Sequence, residues 1–122
     1  MVLVDTSVWV AHLREGNTDL VKLLNKGHAA SHAFIIGELA CGTLKNRAEI
    51  LSYLCALPMA VTAEHDEVMN FIENHHLMGK GLGYIDMHLL ATALLTDTAL
   101  WTLDKKMGEV AASLGLAYSL NP

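Results

Sequence analysis

Short apolar runs alternate along the chain with longer amphipathic stretches. Val2, Leu3 and Val4 form an apolar run that ends at Asp5. Thr6 and Ser7 then supply hydroxyls suited to capping a helix that carries Val8, Trp9 and Leu13. Leu20, Leu23 and Leu24 mark a second helix that stops at Gly27, and residues 29–33 read as a second strand. Residues 34–41 fit a helix with Glu38 inside it, and residues 48–57 fit another, bearing Ile50, Leu51, Leu54 and Leu57 ahead of Pro58. A third strand is expected over residues 59–62. Glu64, Asp66 and Glu67 then load the first turn of a helix whose apolar side is Val68, Met69 and Ile72, ending near Leu77.

Gly79, Gly81 and Gly83 make a pliant loop, after which Asp86 opens a helix through Leu89, Leu90, Ala93 and Leu94. Residues 99–103 read as a fourth strand ending at Asp104, residues 105–114 as a helix, and residues 117–119 as a last short strand beyond Gly115. Strands alternating with helices predict an α/β fold with a parallel sheet covered on both faces. In such folds ligands bind at the edge formed by the strand carboxyl ends. No internal repeat, low-complexity tract or linker divides the sequence, so residues 1–122 read as one domain.

Composition narrows the picture. With 52% hydrophobic and 17% charged residues, the chain suits a packed core rather than a disordered segment. The longest apolar stretch, residues 54–61, is broken by Pro58 and falls well short of the roughly 18 residues that would argue a membrane span. No basic segment leads into an apolar signal core, so a cytoplasmic location is expected. Cys41 and Cys55 form no Cys-x-x-Cys pair and read as buried thiols rather than a disulfide. Seven histidines invite a zinc reading, but no His-x3-His pair has the nearby Glu that a zinc protease needs.

Four acids carry the candidate chemistry. Asp5 and Asp104 each follow a strand-like run and precede a helix, which puts both at the carboxyl edge of the sheet. Asp86 follows the glycine-rich loop, and Glu38 sits among Ile35, Ile36, Leu39 and Ala40, where a carboxylate looks out of place unless something binds it. Two ionised carboxylates about 5 Å apart repel by roughly 3 kcal/mol at an effective dielectric of 20, a strain that a divalent cation removes. All-oxygen ligation suits Mg²⁺ or Mn²⁺, ions that keep waters able to attack a phosphodiester. The same acids admit a plainer reading, with Asp5 and Asp86 as helix caps and Asp104 as a turn residue, and the extra acid Asp97 reads as a turn residue too.

Asp5-Thr6-Ser7-Val8-Trp9, the Glu38-Leu39 helix, Asp86-Met87-His88-Leu89-Leu90-Ala91-Thr92-Ala93 and Leu100-Trp101-Thr102-Leu103-Asp104 resemble, in order and spacing, the motifs of PIN-domain ribonucleases, above all the VapC toxins of prokaryotic toxin–antitoxin pairs. The resemblance covers essentially the whole chain. It implies a PIN-like three-layer α/β/α sandwich with a central parallel sheet of four or five strands. It carries over Asp5, Glu38, Asp86 and Asp104 as metal-binding and catalytic acids, with Ser7 and Thr102 as supporting hydroxyls and Thr6 as a less secure one. It further implies Mg²⁺- or Mn²⁺-dependent cleavage of RNA, a VapB-type antitoxin partner and a homodimer. Two departures stand out: Thr98 lies where a glycine commonly ends the helix, and Met87-His88 follows Asp86 where small or aliphatic residues are commoner.

The net charge of −5 argues against RNA binding by a broad basic surface. Of eight basic residues, however, Lys45, Arg47, Lys80, Lys105 and Lys106 flank candidate acids in sequence and are expected to rim the site. With so few cations, the expected target is a single-stranded loop, for example in a tRNA or rRNA. Trp9, Leu13, Leu20, Leu23, Leu24, Leu51 and Leu54 read as core, with some of them available to a partner helix. The rival reading is a non-catalytic PIN-like module that binds RNA or protein, against which the retention of all four acids speaks.

Overall fold

A computed structural model describes residues 1–119. Its elements run β1 (Val2–Val4), α1 (Thr6–Glu15), α2 (Thr18–Asn25), β2 (Ala29–Ala30), α3 (Ala33–Ala40), α4 (Arg47–Cys55), α5 (His65–Asn74), α6 (Tyr84–Leu95), β3 (Ala99–Trp101) and α7 (Lys105–Ser113). The three strands are parallel in the order β2-β1-β3, with Leu3 opposite both Ala30 and Leu100. Val2, Leu3 and Val4 are all buried. Because successive strand side chains point to opposite faces, helices must cover both sides of the sheet, giving the three-layer α/β/α sandwich.

The expected strands over residues 59–62 and 117–119 shrink to single bridges, Ser31 to Met59 and Leu100 to Ala117, which flank the three-stranded sheet. Four or five strands were expected, and three form among the described residues. At the first of these edges Ser31 exchanges backbone bonds with Pro58 and Ala60, but the Val61 carbonyl then accepts the Thr92 hydroxyl at 3.0 Å. The chain is thereby drawn from the sheet toward α6. β2 also ends early, because the His32 Nδ1 accepts the Phe34 N–H at 2.9 Å and starts α3 at Ala33.

The core gathers on β1, β3 and α6. Residues 87–93 of α6 are all buried, the mark of a central helix wrapped on every side. Leu3, Leu20, Leu54, Leu89, Leu90 and Leu100 are completely or almost completely enclosed, each removal from water stabilising the fold by about 1.5–3 kcal/mol. Cys41 and Cys55, expected to be buried, are free and exposed. Cys41 caps the carboxyl end of α3, and Cys55 closes α4 beside the buried Leu54, which takes the inward position.

Several helices stop by a shared device. Gly27, Gly115, His76 and Asp97 each adopt positive φ just past a helix end. At the end of α6 the Asp97 N–H reaches the Leu94 carbonyl and the Thr98 N–H the Ala93 carbonyl, the paired bonds of a Schellman turn. Asp97 is thus the turn residue expected, and it performs what a glycine does elsewhere, so the Thr98 departure leaves the turn into β3 intact.

Candidate functional site

The carboxyl ends of β1 and β3 lie side by side, Val4 opposite Trp101, and the Asp5 N–H donates to the Trp101 carbonyl at 2.9 Å. The next helices therefore start from one edge of the sheet. Asp5 caps α1 and Asp104 caps α7, each accepting a backbone N–H from the first turn. Between them runs a web of hydroxyls. Asp5 Oδ2 accepts Ser7 Oγ at 2.7 Å, Thr102 Oγ1 at 2.8 Å and the Ser7 N–H at 3.4 Å. Each hydroxyl in turn accepts a backbone N–H of the segment between β3 and α7: Ser7 Oγ from Leu103 at 2.9 Å, Thr102 Oγ1 from Asp104 at 3.1 Å.

α6 begins two residues earlier than expected, at Tyr84, which puts Asp86 in its first turn rather than at its start. Its Oδ2 accepts the Gly83 N–H at 3.1 Å. Burial pushes the Asp86 carboxyl above its ordinary value, the charges of Asp5 and Asp104 push it further, and the Gly83 N–H opposes both. Asp86 thus lies within electrostatic reach of both Asp5 and Asp104. Glu38 is exposed, so burial does not explain it. It points instead toward the amino end of α1, where its Oε1 accepts the Thr6 hydroxyl at 2.8 Å. Thr6, the hydroxyl with the weakest sequence support, is thus the side chain that ties Glu38 to the group.

All four acids share one arrangement. Asp5 accepts through Oδ2, Asp86 through Oδ2, Asp104 through Oδ1 from the Met107 N–H at 2.8 Å, and Glu38 through Oε1. Among the described residues, no hydrogen bond reaches the other oxygen of any of them. Capping and ligand binding therefore do not compete, since each carboxylate has one oxygen for each task. Among the described residues no three such side chains stand close enough to cage an ion unaided. The donor set still fits a hard cation, because Mg²⁺ commonly takes only one or two carboxylates and completes its shell with water.

The five rim candidates are all exposed, but they do not share one place. Lys105 and Lys106 open α7 directly after Asp104, and the Lys106 side chain lies across Gly81, where a Cβ would meet its Nζ at 2.8 Å. Lys80, next in sequence to the Gly81 that Lys106 covers, lines a hollow with Glu109, Val110 and Ser113 of α7. Arg47 donates from its guanidinium to the Ala40 carbonyl at the end of α3, at 2.8 and 3.2 Å, and Lys45 lines a shallow hollow with Val10, Leu13 and Ile50. Of the candidate partner-helix residues, Trp9, Leu20, Leu23 and Leu54 are buried core. Leu13 and Leu24, with part of Trp9 and Leu54, line a groove of about 450 Å³ between α1, α2 and α4.

The sequence reading missed a row of rings. His32, Phe34, His88, Tyr84 and His65 follow one another at centroid distances of 5.2, 4.6, 4.6 and 5.6 Å. The signal was present in the four-residue spacing of Tyr84 and His88, which puts both on one face of α6.

A three-stranded parallel sheet sandwiched by helices, with acids at the strand carboxyl ends, is the architecture of a nuclease of the PIN type, and the PIN domain family model matches residues 2–113. The chain belongs to this family. Ribonuclease VapC32 of Mycobacterium tuberculosis, from strains CDC 1551 / Oshkosh and ATCC 25618 / H37Rv, is 42% identical over 120 residues, which covers 98% of this chain and 97% of the relative. That likeness puts the chain among the VapC-type PIN ribonucleases. Two solved structures share the fold at 17% identity: PAE2754 from Pyrobaculum aerophilum, with a TM-score of 0.62 over 93% of this chain and 86% of that one, and FitAcB from Neisseria gonorrhoeae, with 0.63 over 96% and 95%.

Proposed function

We propose that Asp5, Glu38, Asp86 and Asp104 form the catalytic centre at which this VapC-type protein cuts RNA, aided by Mg²⁺ or Mn²⁺. The observation that carries this reading is the common arrangement of the four acids, one oxygen held by the fold and the other open. When bound, a divalent ion supplies a Lewis acid and lowers the proton affinity of a water suited to attack a phosphodiester. Asp5 Oδ1, Asp104 Oδ2 and Glu38 Oε2 are the atoms available to hold such an ion. Ser7 and Thr102 keep Asp5 from rotating away. Asp86, whose proton affinity is raised, is suited to take a proton from the attacking water through Oδ1.

Lys105 and Lys106 are the rim cations best situated to meet RNA phosphates near Asp104. The partners are a VapB-type antitoxin and a second copy of the chain. The groove lined by Leu13, Leu24, Ile50 and Tyr53 has the apolar character a partner helix requires. Among the described residues no helix is long and apolar enough to cross a membrane, in keeping with a toxin that works in the cytoplasm.

The test incubates wild-type and Asp5→Asn protein with total cellular RNA, with Mn²⁺ or Mg²⁺ and then with EDTA, and maps new RNA ends. New ends that need both the metal and Asp5 are expected. Identical patterns from wild type and variant in Mn²⁺ would replace this reading with that of a binding module.

A further inference from the structure

An acidic protein that acts on RNA has a difficulty in holding its substrate. Each phosphate brings a negative charge toward a chain of net charge −5 and a site of four carboxylates, and one of the five flanking cations, Arg47, is spent on the Ala40 carbonyl. Affinity must come in large part from contacts that carry no charge. Base stacking on aromatic rings is the strongest such contact for unpaired RNA, at about 1–3 kcal/mol per base.

The row of rings stands where such a contact is needed. Phe34 lies one helical turn before Glu38, on the same face of α3. Tyr84 opens α6 and Asp86 is its third residue. The inner end of the row is anchored, with His32 wholly buried and His88 3% exposed between the rings of Phe34 and Tyr84. The outer end is open, with Tyr84 44% exposed and His65 exposed, and Phe34 nearer the inner end is half-buried. The Tyr84 hydroxyl is hydrogen-bonded to His65 Nδ1, which fixes the tyrosine against α5. A ring held in place from behind and open in front loses little freedom when a base lands on it.

We propose that Tyr84, with His65 beside it and Phe34 on the far side of His88, is a stacking wall on which an unpaired base of the RNA lies while its phosphate reaches the acidic site. The inference rests on the RNA-cutting reading above and deepens it by assigning where substrate affinity arises. It makes the substrate at this position single-stranded, since a base within a duplex has no free face to offer.

The probe is a 12-nucleotide RNA of alternating uridine and 2-aminopurine, whose fluorescence is quenched when the purine stacks on a ring. Wild type, Tyr84→Ala, Tyr84→Phe and Phe34→Leu are titrated into it with Mg²⁺ present, after thermal melts have established that each is folded. Wild type should quench the probe. Tyr84→Ala should bind roughly tenfold more weakly and lose the quenching, Phe34→Leu should show a smaller loss, and Tyr84→Phe, which keeps the ring but not its bond to His65, should keep the quenching and bind only slightly more weakly than wild type. Absence of quenching by wild type, or equal quenching and affinity for wild type and Tyr84→Ala, would overturn the proposal. Cleavage of the same RNA in Mn²⁺ is scored separately, so quenching without cleavage would overturn the nuclease reading and leave the stacking wall standing.

Discussion

The two halves of the acidic site are built differently. On the β1–β3 side, Asp5 is 6% exposed and receives three donors, and its partners Ser7 and Thr102 each grip the backbone ahead of α7. On the other side, Glu38 is exposed and accepts one hydroxyl, while Asp86 accepts one N–H from a glycine-rich loop. The first half is set by long-range bonds between segments some 95 residues apart, and it forms once the sheet forms. The second depends on contacts that cost little to break. The difference teaches that one wall of the site holds its acid by several bonds, while the other, the more easily adjusted, holds each acid by one.

The largest effect should come from dismantling the rigid wall. Replacing Ser7 with Ala and Thr102 with Val together frees the Asp5 carboxylate and deprives the Leu103 and Asp104 N–H groups of their acceptors. Orienting partners of metal-binding groups are worth about 10–100-fold, so RNA cleavage should fall by that factor while the melt shows a folded protein. A double variant with wild-type activity would show that the web is not what orients Asp5. The adjustable wall should respond less. Thr6→Val removes one exposed hydrogen bond of about 1 kcal/mol, and cleavage should drop roughly fivefold. A loss larger than that of the double variant would reverse the comparison.

The smallest effect concerns charge. The folded chain holds a proton on Asp86 more tightly than the unfolded chain does, so stability falls as pH rises from the ordinary carboxylate range through the raised value. At neutral pH without divalent ions, Asp86→Asn should therefore melt slightly higher than wild type, while still accepting the Gly83 N–H. The gap should close on acidification, where wild-type Asp86 is protonated, and shrink when Mn²⁺ is added. A variant that melts lower than wild type at neutral pH would mean that the acids do not strain one another.

How much of this was legible in the sequence follows the same division. Asp5 and Asp104 could be located because an apolar run ending in an acid before a helix has one outcome in a parallel sheet, an acid at its carboxyl edge. Glu38 was picked out for the wrong reason. Its apolar neighbours suggested burial, yet Ile35 and Leu39 point inward while Glu38 faces solvent, a matter of helical phase that short windows blur. The hydroxyl web joins Ser7 to Thr102 across the fold, and only the resemblance to known motifs, not spacing, suggested the pair. Strand lengths were overestimated at residues 59–62, where the Val61 carbonyl turns to the Thr92 hydroxyl after one bridge, and at residues 117–119, where Ala117 makes a single bridge to Leu100. Arg47 was read as a neighbour of the acids from sequence distance, and the fold turns its guanidinium to the Ala40 carbonyl.

The central claim is that the open carboxylate oxygens together make a divalent-cation site anchored on Asp5. Its most direct test is a calorimetric titration of Mn²⁺ into wild-type protein, Asp5→Asn and the remote variant Glu49→Gln. Wild type and Glu49→Gln should bind alike, and Asp5→Asn should bind at least about 100-fold more weakly. Equal Mn²⁺ affinity for wild type and Asp5→Asn would contradict the account.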